Sequence, residues 1–216
     1  MTGVPCGKPT GGGGAPHCCM RGAVPTAWPS AELIEHYERL GTEVHRYGDQ
    51  LLVVSSSYLF VGVLHVAGEI ERASAVAHAG VHAARGTGPL TLGQTLVIAA
   101  AIDALRGDAQ AARQAIEECL PIARDEGLAL YTIYAAFVAA ALAARHDDAE
   151  SAATLLAAAA HHSDSLGVVG SSLFLACAAQ ARRVVDAHRG DLAAARRHGA
   201  TMSLDDLNAY ALETLN

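Results

Sequence analysis

From residue 31 onward, apolar residues recur at the spacing of helices rather than strands. Leu33, Ile34, Tyr37, Leu40, Val44 and Tyr47 form one stripe behind a Ser30 cap, and the stripe stops at Gly48. This predicts a single helix, the second half of an incomplete hairpin. Full helical hairpins are predicted over 49–87, 89–126 and 128–166, each helix about 18 residues and roughly 27 Å long. A further helix to about His188, a short one from Asp191 to Gly199, and a last one capped by Ser203-Leu-Asp-Asp206 and ending near Leu215 complete the pattern. Pro121, inside the helix predicted over 108–126, is expected to kink it near Glu117.

The hairpins repeat. A turn residue, an acid and, further on, an alanine appear as Gly68-Glu69…Ala73, Gly107-Asp108…Ala112, Asp147-Asp148…Ala152 and Gly190-Asp191…Ala195, at spacings of 39, 40 and 43. A second ladder, Gly48, Gly88, Gly127 and Gly167, runs between them at spacings of 40, 39 and 40. Each part has a physical task. The glycine ends a helix in the left-handed conformation, which costs little without a Cβ. The acid caps the next helix against its positive dipole end. The alanine lets the two helices approach closely. Val63, Ile102, Leu142 and Val185 sit five residues before the turns, as an apolar column stacking between repeats. A period near 40 is the signature of a helical solenoid. The expected fold is all-α, an α-α superhelix of hairpins, with residues 30–201 as repeats and 202–216 as a capped C-terminal helix or linker.

Residues 1–29 differ. Gly11 to Gly14 and prolines at 5, 9, 16, 25 and 29 predict a disordered leader, or coding sequence upstream of the true start. Gly7-Lys8-Pro9-Thr10 is not a P-loop: the motif's first glycine would fall on Thr2, and Pro9 holds the hydroxyl position. His17-Cys18-Cys19 reads as a thiol cluster without a metal. The other long uncharged stretch, Leu128 to Ala144, is short for a membrane span, rich in weakly apolar alanine, and occupies the first-helix slot of a repeat. It is expected to be a buried helix.

Composition narrows the function. Half of the residues are hydrophobic but aromatics are 5%, so the core is of Ala, Leu and Val. A net charge of −7 without a basic stripe argues against direct nucleic-acid binding. Five cysteines form neither a disulfide framework nor a zinc pattern, and the N-terminus has no apolar signal segment, so a reduced, cytoplasmic setting is expected. No metal, cofactor or enzyme chemistry is predicted. His78 and His82 share a helix face, but Ala79 stands where a zinc protease needs glutamate, and they read as solvent-facing. His161-His162 complements a helix C-terminus. Glu117 and Glu118 are adjacent and do not converge as a catalytic pair. Cys119 and Cys177 read as small core hydrophobes.

What remains is surface. If the first helix of each hairpin lines a concave groove, Tyr58, Gln94, Tyr131 and Tyr134 are the candidate partner-binding residues. Tyr131 and Tyr134, three apart, share a face. The alternative is that the tyrosines fill the seams between repeats with the hydroxyl at the edge.

With the repeat defined, the chain resembles the tetratricopeptide-like helical region of LuxR-type and MalT-like bacterial ATPase regulators. The resemblance covers about residues 31–215 and rests on Ala67-Gly-Glu-Ile-Glu-Arg-Ala73, Arg106-Gly-Asp-Ala-Gln-Ala-Ala-Arg113, Ala123-Arg-Asp-Glu-Gly127 and the tail from Gly199 to Leu212. A Gly-x-x-Met-Ser-Leu-Asp-like stretch ends the helical region in that family; here Arg196-Arg197-His198 replace the family's tryptophan-bearing helix before it. The ATPase and the DNA-binding helix-turn-helix are absent. The resemblance implies a sensor or scaffold region that takes a protein, a peptide or a small-molecule inducer and restrains an ATPase. A stand-alone adaptor that binds a peptide or protein is the alternative. The half hairpin at 31–47 leaves an apolar face for another domain or for self-association.

Overall fold

The computed structural model describes residues 31–168 and 170–215. These form ten helices and no strand: α1 (Ala31–Tyr47), α2 (Gln50–Val66), α3 (Ile70–Ala84), α4 (Pro89–Arg106), α5 (Ala109–Asp125), α6 (Ala129–Arg145), α7 (Ala149–Leu166), α8 (Ser172–Ala187), α9 (Ala193–Thr201) and α10 (Leu204–Thr214). The leader, with the Ser30 cap, the Gly7-Lys8 stretch and the His17-Cys18-Cys19 cluster, lies outside the described residues. Helices α2–α3, α4–α5, α6–α7 and α8–α9 correspond to the predicted units, and α1 is the half hairpin. No described helix is long and apolar enough to cross a membrane.

The turns follow the chemistry of the repeat. Gly48, Gly68, Gly88, Gly107, Gly127 and Gly167 have positive φ, and Asp147, which stands where three repeats have glycine, does too at φ 56°. Asp49, Asp108 and Asp148 accept from the N–H groups of Leu51 and Leu52, of Ala111 and of Ser151. Two turn assignments are corrected. Glu69 occupies the N-cap of α3 but makes no cap bond; its carboxylate takes Arg72 instead. Gly190 is not left-handed, because α8 ends at His188 in extended backbone and the connection to α9 is a longer loop. Asp191 accepts from Ala193 N at 2.8 Å.

The alanines of the repeat, Ala73, Ala112, Ala152 and Ala195, are all buried, as the close approach requires. Of the stacking column, Ile102, Leu142 and Val185 are buried, and Val63 is only partly so. Helix α5 runs unbroken through Pro121. The expected capping box is present: Asp206 N donates to Ser203 Oγ at 3.1 Å, and Ser203 N donates back to Asp206 Oδ2 at 3.2 Å. Asp206 is held below the usual carboxylate range, first by the Ser203 hydroxyl and then by the Ser203 amide. In the tail, Gly199 admits no side chain. A Cβ there would lie 2.1 Å from the Thr154 carbonyl, so α9 meets the backbone of α7 directly.

The first helices pack in succession, α2 on α4, α4 on α6 and α6 on α8. In addition α8 lies against α4 and α2, and α10 packs across α5, α6 and α7. Helix α6 is therefore enclosed on every side, and each residue from Ala135 to Ala144 is buried. That accounts for its lack of charge. The same holds for α4 from Thr95 to Ala104, with one exception in chemistry: Asp103.

Candidate partner-binding surface

Helix α8 packs on α6 and also reaches α4 and α2, so it covers part of the row of first helices. Cys177 of α8 donates its thiol to the Ala101 carbonyl of α4 at 3.7 Å, which marks where the two helices meet. Toward the N-terminal ends of α4, α6 and α8, Leu90, Leu130 and Leu175 are exposed, and Gln94, Tyr131 and Tyr134 are half-buried.

Tyr58 of α2 lies within electrostatic reach of both Tyr131 and Tyr134. Burial pushes both phenols above their ordinary value. For Tyr131 the neighbouring Cys119 and Tyr58 add to it, and for Tyr134 Tyr58 does. Tyr134 stacks on Phe174 of α8, with ring centroids 3.9 Å apart and planes 13° from parallel. Tyr131 lies over Gly93, where a Cβ would come within 3.2 Å of its ring. Both rings thus fill seams between repeats while keeping an edge at the surface. Gln94 follows Gly93 on the same helix and is half-buried.

A second feature was not foreseen. A groove of about 570 Å³ runs between α1, α2 and α3, floored by Tyr37, Phe60, Val76 and Ala79 and flanked by Ser56 and His45. Tyr37 and Phe60 stack in parallel at 5.9 Å. Arg72 of α3 closes one side by pairing with Glu38 of α1. Its sequence signal is Tyr37, the aromatic at the centre of the α1 stripe, which pairs with Phe60 of α2.

The third feature is the carboxylate of Asp103, fully buried in α4. Ser74 Oγ donates to Oδ1 at 3.0 Å, and Arg106 Nη2 lies 3.5 Å from the same oxygen. His78 Nε2 sits 2.9 Å from Oδ2, within ion-pair reach but off the line of a hydrogen bond. Arg106 also reaches Asp108 at 3.0 Å and Glu71 at 3.2 Å, while its Nε is buried without a partner. His78 is half open to solvent, as expected, but its tip serves this network. The signal was visible as a lone acid within Leu96-Val-Ile-Ala-Ala-Ala-Ile-Asp-Ala-Leu105. The arrangement ties α3 to α4. Among the described residues no group of three or more His, Cys, Asp or Glu side chains is placed to hold a metal.

Comparison with protein-family models, with curated proteins and with solved structures returns no match to this chain.

Proposed function

We propose that this chain is the sensor and scaffold region of a multidomain bacterial regulator of the LuxR type. On this reading it takes a small-molecule inducer or a protein on the face around Tyr58, Gln94, Tyr131 and Tyr134. The observation that supports it is the proximity of Tyr58 to Tyr131 and Tyr134, contributed by two hairpins, with all three side chains only partly buried. A planar or apolar ligand could lie on the tyrosine edges with a hydroxyl donating to it. The region would act by favouring one arrangement of its hairpins, with the DNA contacts made by another domain.

The test is a thermal-shift screen of small metabolites on the wild-type chain and on Tyr131→Ala/Tyr134→Ala. A binder at about 100 times its Kd stabilises the wild type by roughly 2.7 kcal/mol. The double variant should lose that response while keeping a cooperative melt. Binders that stabilise both proteins equally would remove this face from the reading. Salt-dependent binding of duplex DNA by the chain alone would remove the division of labour.

The apolar groove between α1, α2 and α3 favours a second reading, a stand-alone adaptor for a peptide. Its stacked Tyr37 and Phe60 suit an extended apolar segment. Phe60→Ala would then abolish peptide capture, and Tyr131→Ala would not.

A further inference from the structure

The groove between α1, α2 and α3 has few polar side chains, and what they already bind fixes what they have left to offer. Thr42 Oγ1 donates to the Glu38 carbonyl at 3.0 Å. Ser56 and Ser57 both donate to the Val53 carbonyl, at 2.9 and 2.8 Å. A hydroxyl has one proton, so each of these three retains only lone pairs. His45 Nδ1 lies 2.8 Å from the Gly41 carbonyl, which places the proton on Nδ1 and leaves Nε2 of the neutral ring an acceptor. Arg72 engages Oε1 of the Glu38 carboxylate, and Oε2 takes no hydrogen bond among the described residues. Of the lining side chains, only the Tyr37 hydroxyl still has a proton to give.

The charge around the groove has the same sense. Residues 31–84, which form the three helices and their turns, carry seven carboxylates against three arginines and no lysine, a net charge of −4. Arg39 and Arg46 do not line the groove, and Arg72 at its side is held between Glu38 and Glu69. The remaining surface is apolar. Tyr37 and Phe60 stack with planes 6° apart, and Val76 and Ala79 line the groove from α3. A Cβ at Gly41 would meet nothing within 4 Å, so a ligand can approach the backbone of α1 there.

We propose that this groove binds a small organic ammonium ion, a protonated primary or secondary amine on an aromatic or branched apolar body. Its N–H groups supply the donors that the hydroxyls, the imidazole and Glu38 lack, and its charge suits both the carboxylate and the ring faces. Its body covers Tyr37, Phe60 and Val76. A volume of about 570 Å³ is the size that takes such a molecule. An anion would meet no side-chain donor but Tyr37. An extended peptide brings as many carbonyls as N–H groups, and its carbonyls would be left without donors. The inference is independent of the face around Tyr131, and it gives the groove an occupant other than the peptide of the second reading.

The experiment is titration of the full 216-residue chain with 2-phenylethylamine at neutral pH, followed by calorimetry and ligand-observed NMR. The expected dissociation constant is below about 1 mM. Three matched compounds separate the contributions. 3-Phenylpropionate reverses the charge, 2-phenylethanol removes it, and the N,N,N-trimethyl derivative of the amine keeps it without N–H groups. Each should bind at least about tenfold more weakly. Phe60→Leu keeps apolar bulk but removes the ring, and should weaken the amine by about 3–30-fold. Ser56→Ala/Ser57→Ala should weaken it by about tenfold. Tyr131→Ala/Tyr134→Ala should leave it unchanged, which separates this site from the sensor face. Circular dichroism checks that each variant stays helical; if one does not, the compound series on the wild-type chain decides alone.

No binding of the amine up to about 10 mM overturns the proposal. So does equal binding of 3-phenylpropionate or of the trimethyl derivative, or amine binding indifferent to both Phe60→Leu and the serine pair. If an acetylated, amine-free apolar peptide binds, Phe60→Leu abolishes that binding and the amine does not compete, the groove belongs to a peptide and the ammonium site is refuted.

Discussion

Removing the partners of Asp103 should be far more damaging than removing Asp103 itself. The carboxylate has no exposed surface, so its charge is tolerated only through Ser74, Arg106 and His78. In the double variant His78→Ala/Arg106→Ala both basic side chains beside the carboxylate go, and Ser74 alone holds it. Stranding one member of a buried pair costs about 3–5 kcal/mol. The outer contacts of Arg106, to the more exposed Asp108 and Glu71, add at most about 1 kcal/mol together.

Asp103→Asn is different. It deletes the charge that needs desolvating, leaves an amide oxygen for Ser74, and lets Arg106 keep Asp108. Its cost should be about 1–3 kcal/mol. The diagnostic is rescue: the triple variant His78→Ala/Arg106→Ala/Asp103→Asn should be more stable than the double. Urea denaturation followed by circular dichroism measures all four proteins, and by melting the double should fall roughly 6–20 °C. If the triple variant is less stable than the double by the full Asp103→Asn increment, the effects are additive. The three side chains then do not act as one network.

Enlarging Ala112 or Ala152 to leucine should cost about 1–3 kcal/mol by overpacking, since neither has any exposed surface; unchanged urea midpoints would refute the close helix approach. Burial pushes the Cys119 and Cys177 thiols up to about 12, with the charge of Glu118 adding to the effect at Cys119. Both should resist a thiol reagent until the chain unfolds. Their folded values lie above the unfolded one of about 8.5, so their stabilising share is intact below that pH and is lost as pH rises toward 12. A flat stability profile between those limits would contradict it.

The turns were the legible part of this fold. A left-handed helix end leaves a glycine, a helix start leaves an acid, and both constraints are local enough to survive in one sequence. The failures are equally physical. At Glu69 an arginine three residues on competes for the carboxylate, and an N-cap sequence cannot say which donor wins. The position of α8 was not readable. Period and register describe what each hairpin does to the next, whereas Cys177 meets a carbonyl 76 residues away. The tyrosines illustrate the consequence for the candidate surface. Their spacing placed Tyr131 and Tyr134 on one face, but whether that face opens on solvent depended on Phe174 in a helix whose placement the repeat does not encode. Asp103 could have been found, because a single acid in an apolar run is anomalous under any packing.

The return of α8 onto α4 and α2 also bears on how the chain comes apart. Repeat arrays in which each unit touches only its neighbours behave as one-dimensional lattices, fraying from the ends and tolerating partly melted forms. Here the fourth hairpin buttresses the first and second as well as the third, so loss of either end exposes the interior of both. Peeling one hairpin away would uncover more than one neighbour, so melting is expected as a single collective event rather than as a sequence of steps.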